Sequence, residues 1–424
     1  MPRGTYRAGT PISPSKTDKE RHVQTQPVIP SHVPPDLVLP CRIFDRMTVT
    51  ENPYETILPA IHQGPRVFYA ANVTPGPVPG WVVRRAEDLR AIYNDTENFY
   101  KQGNTQFAAM IGEDWDIIPT ELDPPRHAGF RAALNPVYSP SNMAKLDSRV
   151  RERARVFIDR FKDRGSCEFI GEFAIPFPVT IFLDLLGFPQ EEMNQFLEWE
   201  TTLLRSPTNG DRITSVHAVK DYLLRAIADR KKNPGTDLIS VALTLEVDGR
   251  KWTDEEVFGH CFNLYLGGLD TVTANIGLHM HHLATRPDHQ TYLRENPKQM
   301  VIAIEEFLRA YPAVTTARLC RNPYTLGDAT FMPGDYIAMS TPLAGRDPEY
   351  YDAPQEVRLD RKPAHVTLGY GIHRCLGQHL ARRELQIALQ EFLASVPTFG
   401  IAPGFSVPFF LGNVIHIDEL QLAW

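Results

Sequence analysis

A mainly α-helical fold with a small β-rich part is what this sequence predicts, and three observations carry it. Apolar residues recur at helical spacing among charges over much of the chain. Short β-branched and aromatic runs are few and lie beside Pro/Gly turns. One helix, opened by a capping signature, is long and apolar enough to thread the centre of the protein. The 424 residues are 42% hydrophobic and 22% charged, an ordinary globular balance that allows a large core.

Val67-Phe68-Tyr69 and Trp81-Val82-Val83 flank a stretch containing Pro75-Gly76-Pro77 and read as two strands of a small sheet. Leu146, Val150, Phe157, Ile158 and Phe161 recur at helical spacing among Arg, Lys and Asp. Thr253 followed by Glu256 opens a helix that runs to about Thr285, before Arg286-Pro287. Its middle, Leu264 to Val272, is nearly all apolar, so it belongs in the protein interior. A further strand pair, Tyr324-Thr325-Leu326 and Tyr336-Ile337-Ala338-Met339, flanks Gly327-Asp328 and the turn Pro333-Gly334-Asp335. The last helix runs from Gln378 to about Val396. Met1 to Pro35, rich in Pro, Ser, Thr and charge, reads as a loose arm without a signal-peptide core. Residues 36–424 read as one domain, since no repeat or linker divides them.

A net charge of -7 argues against a nucleic-acid partner, which needs a concentrated basic surface. No apolar run is long enough for a membrane anchor. Five cysteines without a C-x-x-C pair fit a reducing compartment, so a cytoplasmic location is expected.

Among those cysteines Cys375 stands apart. It lies in Leu368-Gly369-Tyr370-Gly371-Ile372-His373-Arg374-Cys375-Leu376-Gly377, with a helix starting directly after it. Glycines permit a tight turn, amides aimed at the sulfur and close approach of a macrocycle. The positive end of the helix favours thiolate over thiol. An inert core thiol is the default for a lone cysteine. Zinc held by His373, Cys375 and His379 is a sharper rival, but it lacks a fourth close ligand and gives the glycines no role.

The loop resembles the cysteine loop of the cytochrome P-450 superfamily, F-x-x-G-x-x-x-C-x-G. Gly371, Cys375 and Gly377 match, and Leu368 replaces the aromatic residue, which bears on the tuning of the sulfur. The resemblance implies the cytochrome P-450 fold, with haem b (iron protoporphyrin IX) buried between the central helix and the cysteine-loop helix. Cys375 would be its axial ligand, with Leu368, Gly369 and Gly377 beside it. Gly267-Gly268-Leu269-Asp270-Thr271 is similar to the family motif A/G-G-x-D/E-T. Glycines inside a helix are costly, and an adjacent acid and alcohol offer protons a route to dioxygen. The resemblance therefore makes Asp270 and Thr271 catalytic and sets Gly267 and Gly268 against the cofactor. Taken alone, Thr271 would bond back to a preceding carbonyl and Asp270 would pair with a buried base.

Glu306 and Arg309 match the family's E-x-x-R pair, which locks to a further arginine, here Arg361, and holds the haem-binding core. Asp123-Pro124-Pro125-Arg126-His127 with Arg131 looks like the D-P-P-x-H-x-x-x-R segment. His127, Arg131, Arg318 and His373 match positions that hold the haem propionates.

From Pro34 onward the chain is similar to the bacterial camphor-hydroxylase family, through Ile118-Pro119-Thr120, Pro234-Gly235-Thr236-Asp237 and the run Cys375 to Glu384. This implies a monomeric monooxygenase that inserts one atom of dioxygen into an unactivated C–H bond. Its electrons would come from NADH through a flavoprotein ferredoxin reductase and a two-iron, two-sulfur ferredoxin, an acidic partner met by Arg131 and Arg374. Matching pocket positions are Trp115, Ile117, Leu264, Leu266, Val314, Thr316 and Val414. The lining is mostly apolar, with Trp115 in place of the family's hydrogen-bonding tyrosine, and a small terpenoid or norisoprenoid substrate is expected. A peroxide-driven thiolate-haem enzyme and a haem-binding sensor are the alternatives, and neither has use for the Asp270-Thr271 pair.

Overall fold

The computed structural model describes residues 29–73, 78–103, 107–206 and 208–424. The Pro75-Gly76-Pro77 stretch and the first 28 residues of the expected arm lie outside the described residues. The end of that arm is not loose. Val33 and Leu37 are buried against the sheet, and His32 Nε2 meets Asp335 Oδ2 at 2.8 Å, so apolar burial and one polar contact tie it down.

The sheet orders its strands Val67–Ala70, Gly80–Val83, Tyr336–Ser340, Thr315–Cys320 and Phe99–Tyr100. Gly80–Val83 and Tyr336–Ser340 run parallel, and the other neighbours are antiparallel. The first strand pair is as the sequence indicates. The second is not a pair: Tyr324–Leu326 joins Ala329–Phe331 in a hairpin of its own, while Tyr336–Ser340 enters the main sheet. The two-residue link Gly327-Asp328, with Gly327 at φ +62°, turns the chain before it can reach Tyr336.

Around this sheet the protein is helical. The Asp147–Ile158 helix buries Val150, Phe157 and Ile158, as its spacing demands. At the start of the central helix Thr253 Oγ1 accepts from Glu256 N at 3.1 Å, and Thr253 N donates to Glu256 Oε2 at 2.8 Å. That helix is not continuous to Thr285. It runs Asp254–Gly268, breaks at Leu269 (φ -99°, ψ -71°), and resumes as Asp270–Thr285. Its first half packs in one apolar cluster with Trp115, Phe182 and Phe196, and its second half in another with Phe307, Leu389 and Phe392. The break falls where the two clusters meet. No helix among the described residues is long and apolar enough to cross a membrane.

Glu306 and Arg309 on the Met300–Ala310 helix are both wholly buried and paired. Arg309 also donates to Gly345 O at 3.3 Å and Glu356 O at 2.7 Å, and Arg358 N donates to Glu306 Oε1 at 3.0 Å. Arg361 Nε stands 3.5 Å from Glu306 Oε1, so the expected third member is within ion-pair reach. These contacts fasten the segment that precedes the cysteine loop. Removing Arg309 leaves the wholly buried Glu306 with only Arg361 and one amide to offset its charge: Arg309→Leu is expected to cost about 3–5 kcal/mol in urea unfolding, and the double leucine variant less than the single one. A single variant as stable as the parent would contradict this.

Several histidines are buried as neutral rings. His260 accepts from Tyr138 O–H through Nε2 at 2.9 Å, while its Nδ1 donates to Ile118 O at 3.2 Å. Burial pushes His260 and His281 down to about 4 and His279 to about 3. In the unfolded chain each takes up a proton near the ordinary value of about 6.5, so their stability is whole above that value and is lost as pH falls toward 4. Buried Glu384, pushed up to about 8 by burial, works in the opposite direction, adding stability as pH falls from about 8 toward its ordinary carboxyl value and so overlapping the upper part of that window. Three rings against one carboxyl leave a net loss: the urea midpoint should fall steadily below about pH 6.5, and a flat or rising midpoint would contradict it.

Candidate functional site

Four of the five cysteines are buried thiols, which burial pushes up to about 12 for Cys41, Cys167 and Cys261 and about 11 for Cys320. Cys375 differs. Its side chain is half exposed although protein surrounds it, so it faces interior space. Cys375 N donates to Leu368 O at 2.8 Å, closing the loop, and the helix Gln378–Ser395 starts three residues on. Burial raises this thiol too, but the Gly377 amide and the guanidinium groups of Arg131, Arg382 and Arg374 pull it back toward thiolate.

The loop's glycines have separate tasks. Gly369 and Gly371 hold φ of +72° and +65°, a left-handed conformation that side chains disfavour. At Gly371 a Cβ would also stand 2.8 Å from Tyr93 O and Asn94 Oδ1, because the loop docks on the end of the Ala86–Asn94 helix. A Cβ on Gly377 would meet nothing within 4 Å. Leu368 is half buried against the main apolar cluster.

The central helix presents a matching open arc. Phe262, Tyr265, Leu269 and Val272 are buried, yet Gly267 is exposed, and Leu264, Leu266, Gly268, Asp270 and Thr271 are half exposed. A Cβ on Gly267 or Gly268 would meet nothing within 4 Å. Thr271 Oγ1 donates to Gly267 O at 2.7 Å, and Asn275 Nδ2 donates to Thr271 O at 2.7 Å. Side chains thus occupy carbonyls at the break in the helix.

Of the expected pocket residues, Val314, Thr316 and Val414 are also half buried, Val314 bridging to Val414. The Thr316 hydroxyl is tied to Tyr93 O–H at 2.7 Å. Trp115 and Ile117 are instead fully buried. The indole packs edge-on against Phe258 and Phe262, and its Nε1 is buried without a partner among the described residues.

The four expected cationic residues also lie along this space. The His127 and His373 rings are 4.5 Å apart, and Nε2 of each is buried without a hydrogen bond among the described residues, that of His373 standing 3.9 Å from Asp123 Oδ1. Burial pushes both down to about 4, with nearby cations adding to the effect. Arg318 is buried with its guanidinium 5.0 Å from the Tyr93 ring centre. Arg131 donates to Arg374 O at 3.0 Å, so it braces the cysteine loop, while Arg374 itself is exposed.

Lys101 is a residue that motif reading passed over. Phe99 pairs with Cys320 and Tyr100 with Leu319, so the antiparallel register brings Lys101 beside Arg318. Burial pushes Lys101 down to about 7, with Arg318 repelling it and Glu121 and Asp123 attracting it. The Asp123 carboxylate is already engaged by the amides of Lys101 and Gln102 at 3.0 Å. Burial opposes ionisation of Asp123, but His373 and those amides hold it below the usual range. The only sequence signal for Lys101 was its place at the end of a strand whose partner, Thr315–Cys320, had not been recognised.

A half-exposed Cys375, the glycines Gly267, Gly268 and Gly377 that leave room where side chains would stand, the buried cation Arg318 and imidazoles with free Nε2 atoms are the groups that a flat macrocycle carrying carboxylates requires. The residues present thus fit haem. Residues 180–396 match the family model described as Cytochrome P450. The chain is 36% identical over 412 residues to "Probable cytochrome P450 127A1" of Sinorhizobium fredii, covering 96% of this chain and 99% of the relative. It is 31% identical to the erythromycin C-12 hydroxylase of Saccharopolyspora erythraea, covering 74% of this chain and 81% of that one. The crystal structure of cytochrome P450 CYP101C1 superposes with a TM-score of 0.84 at 33% identity, covering 94% of this chain and all of that one. The chain belongs to the cytochrome P450 family and is a haem b-dependent monooxygenase.

Proposed function

We propose that residues 36–424 form one catalytic domain in which Cys375 is the axial ligand of the haem iron. The observation that carries this is the contrast among five cysteines: only Cys375 faces interior space, at a helix start, with an amide and three arginines about its sulfur. Haem, when bound, supplies the activation of dioxygen and the oxidising power that hydroxylates a C–H bond.

The chain's own residues do the rest. The Gly377 amide and the helix start stabilise negative charge on the sulfur. His127, Arg131, Arg318 and His373, together with Lys101, offer donors to the two carboxylates of the macrocycle. Thr271 Oγ1 holds a proton, now given to Gly267 O, and turning the hydroxyl into the open arc offers that proton to dioxygen. The adjacent Asp270 relays protons from solvent toward Thr271, making up the one given. Leu264, Leu266, Val314 and Val414 exclude water and hold a small terpenoid or norisoprenoid by shape.

Electrons arrive in this reading from a two-iron, two-sulfur ferredoxin and its NADH-dependent reductase, docked where Arg374 is exposed, and the enzyme works as a cytoplasmic monomer. A peroxide-driven reaction gains no support from the Asp270-Thr271 pair on the open arc.

The test is coupling in the system reconstituted with ferredoxin and reductase. Product formed per NADH should fall by up to about a hundredfold in Thr271→Ala, the lower end of what a positioned proton donor contributes, while NADH consumption continues. Fully coupled turnover in that variant would refute the assignment of Thr271.

A further inference from the structure

The open arc is lined by apolar residues, glycines and the Asp270-Thr271 pair, with one more polar side chain that the motifs do not include. Asn263 lies one helical turn before Gly267, on the same side of the central helix, and is half exposed like Leu264 and Leu266. Thr120 Oγ1 donates to Asn263 Oδ1 at 2.6 Å. Thr120 is itself held, because its loop is stitched to the helix by Ile118 N to Gly259 O at 3.3 Å and by His260 Nδ1 to Ile118 O at 3.2 Å. The approach is so close that a Cβ on Gly259 would stand 2.1 Å from Asp116 O.

With its Oδ1 occupied, the amide keeps Nδ2 and both its N–H donors turned away from Thr120, and Nδ2 has no acceptor among the described residues. A donor pinned in one orientation on an apolar wall gains most from an acceptor that enters with a ligand. Trp115 Nε1 is also a buried donor without a partner among the described residues, but its ring packs against buried Phe258 and Phe262, whereas Asn263 is half exposed on the open arc.

We infer that Asn263, oriented by Thr120, is the substrate-positioning hydrogen-bond donor of this enzyme. Resting on the haem-monooxygenase reading above, this narrows the substrate from any small hydrophobic molecule to one bearing a neutral oxygen acceptor, a ketone or ether, on a compact hydrocarbon skeleton. Asn263 fixes that oxygen, and the position of the oxygen on the skeleton then decides which C–H bond reacts.

Matched ligands of one skeleton test this: 2-adamantanone against adamantane, and norcamphor against norbornane, each titrated into the holoenzyme and followed by the spin-state shift of the haem band. The native enzyme should bind at least one ketone about three- to tenfold more tightly than its hydrocarbon, the worth of one net hydrogen bond. Asn263→Leu should abolish that ratio. So should Asn263→Asp, which still accepts from Thr120 but has lost both N–H donors, and Thr120→Val should lower it. Equal binding of both ligands by the native enzyme, an unchanged ratio in both Asn263 variants, or loss of the ratio only in Trp115→Phe would overturn the inference. The Soret band of the reduced, carbon monoxide-treated variants should stay in place, which separates failure of this inference from failure of the thiolate-haem reading.

Discussion

The hydrogen bond from Thr271 Oγ1 to the Gly267 carbonyl sits where the central helix breaks, and the site is arranged around that break. A regular apolar helix through the core would be covered on all sides. Here two glycines withhold side chains, a hydroxyl takes a carbonyl, and Leu269 leaves helical geometry, so one arc stays open while the opposite side remains packed. The two halves then anchor in different apolar clusters, which hold the opening in place. Packing on both sides provides the rigidity that a positioned oxidant needs.

Charge follows from the same opening. His127, His373, Arg318 and Lys101 are crowded into a region where the nearby Asp123 is already engaged by backbone amides. Burying Arg318 and Lys101 beside two imidazoles that burial keeps neutral is costly, and anions arriving from outside the chain would offset that cost. A cofactor with two carboxylates meets that need. The wholly buried Glu306–Arg309 pair is different, since its members satisfy one another and the neighbouring backbone.

Much of this was legible in the sequence because the signals are local. The Thr253 capping box, the glycines about Cys375 and the Glu306/Arg309 spacing each act within a few residues, and the structure forms them as read. What escaped depends on long-range register. Tyr336–Ser340 joins the main sheet because Gly327-Asp328 closes a hairpin first, and Lys101 reaches Arg318 only through the pairing of Phe99–Tyr100 with Thr315–Cys320. The Gly267-Gly268 pair was readable as a cost to the helix, but the break at Leu269 also needed two separate clusters to anchor its halves. Asn263 was hidden beside the run Leu264 to Val272, where its partner Thr120 lies 143 residues away.

Ligation of the haem iron by Cys375 is the step on which every proposed role of the other residues depends. The most direct measurement is the absorption spectrum of the reduced, carbon monoxide-treated holoprotein, native beside Cys375→His. The native protein is predicted to show the red-shifted Soret band of a thiolate-ligated haem, and the variant the unshifted band of a histidine-ligated one. An unshifted band in freshly purified native holoprotein, or a shifted band that survives the substitution, would contradict it.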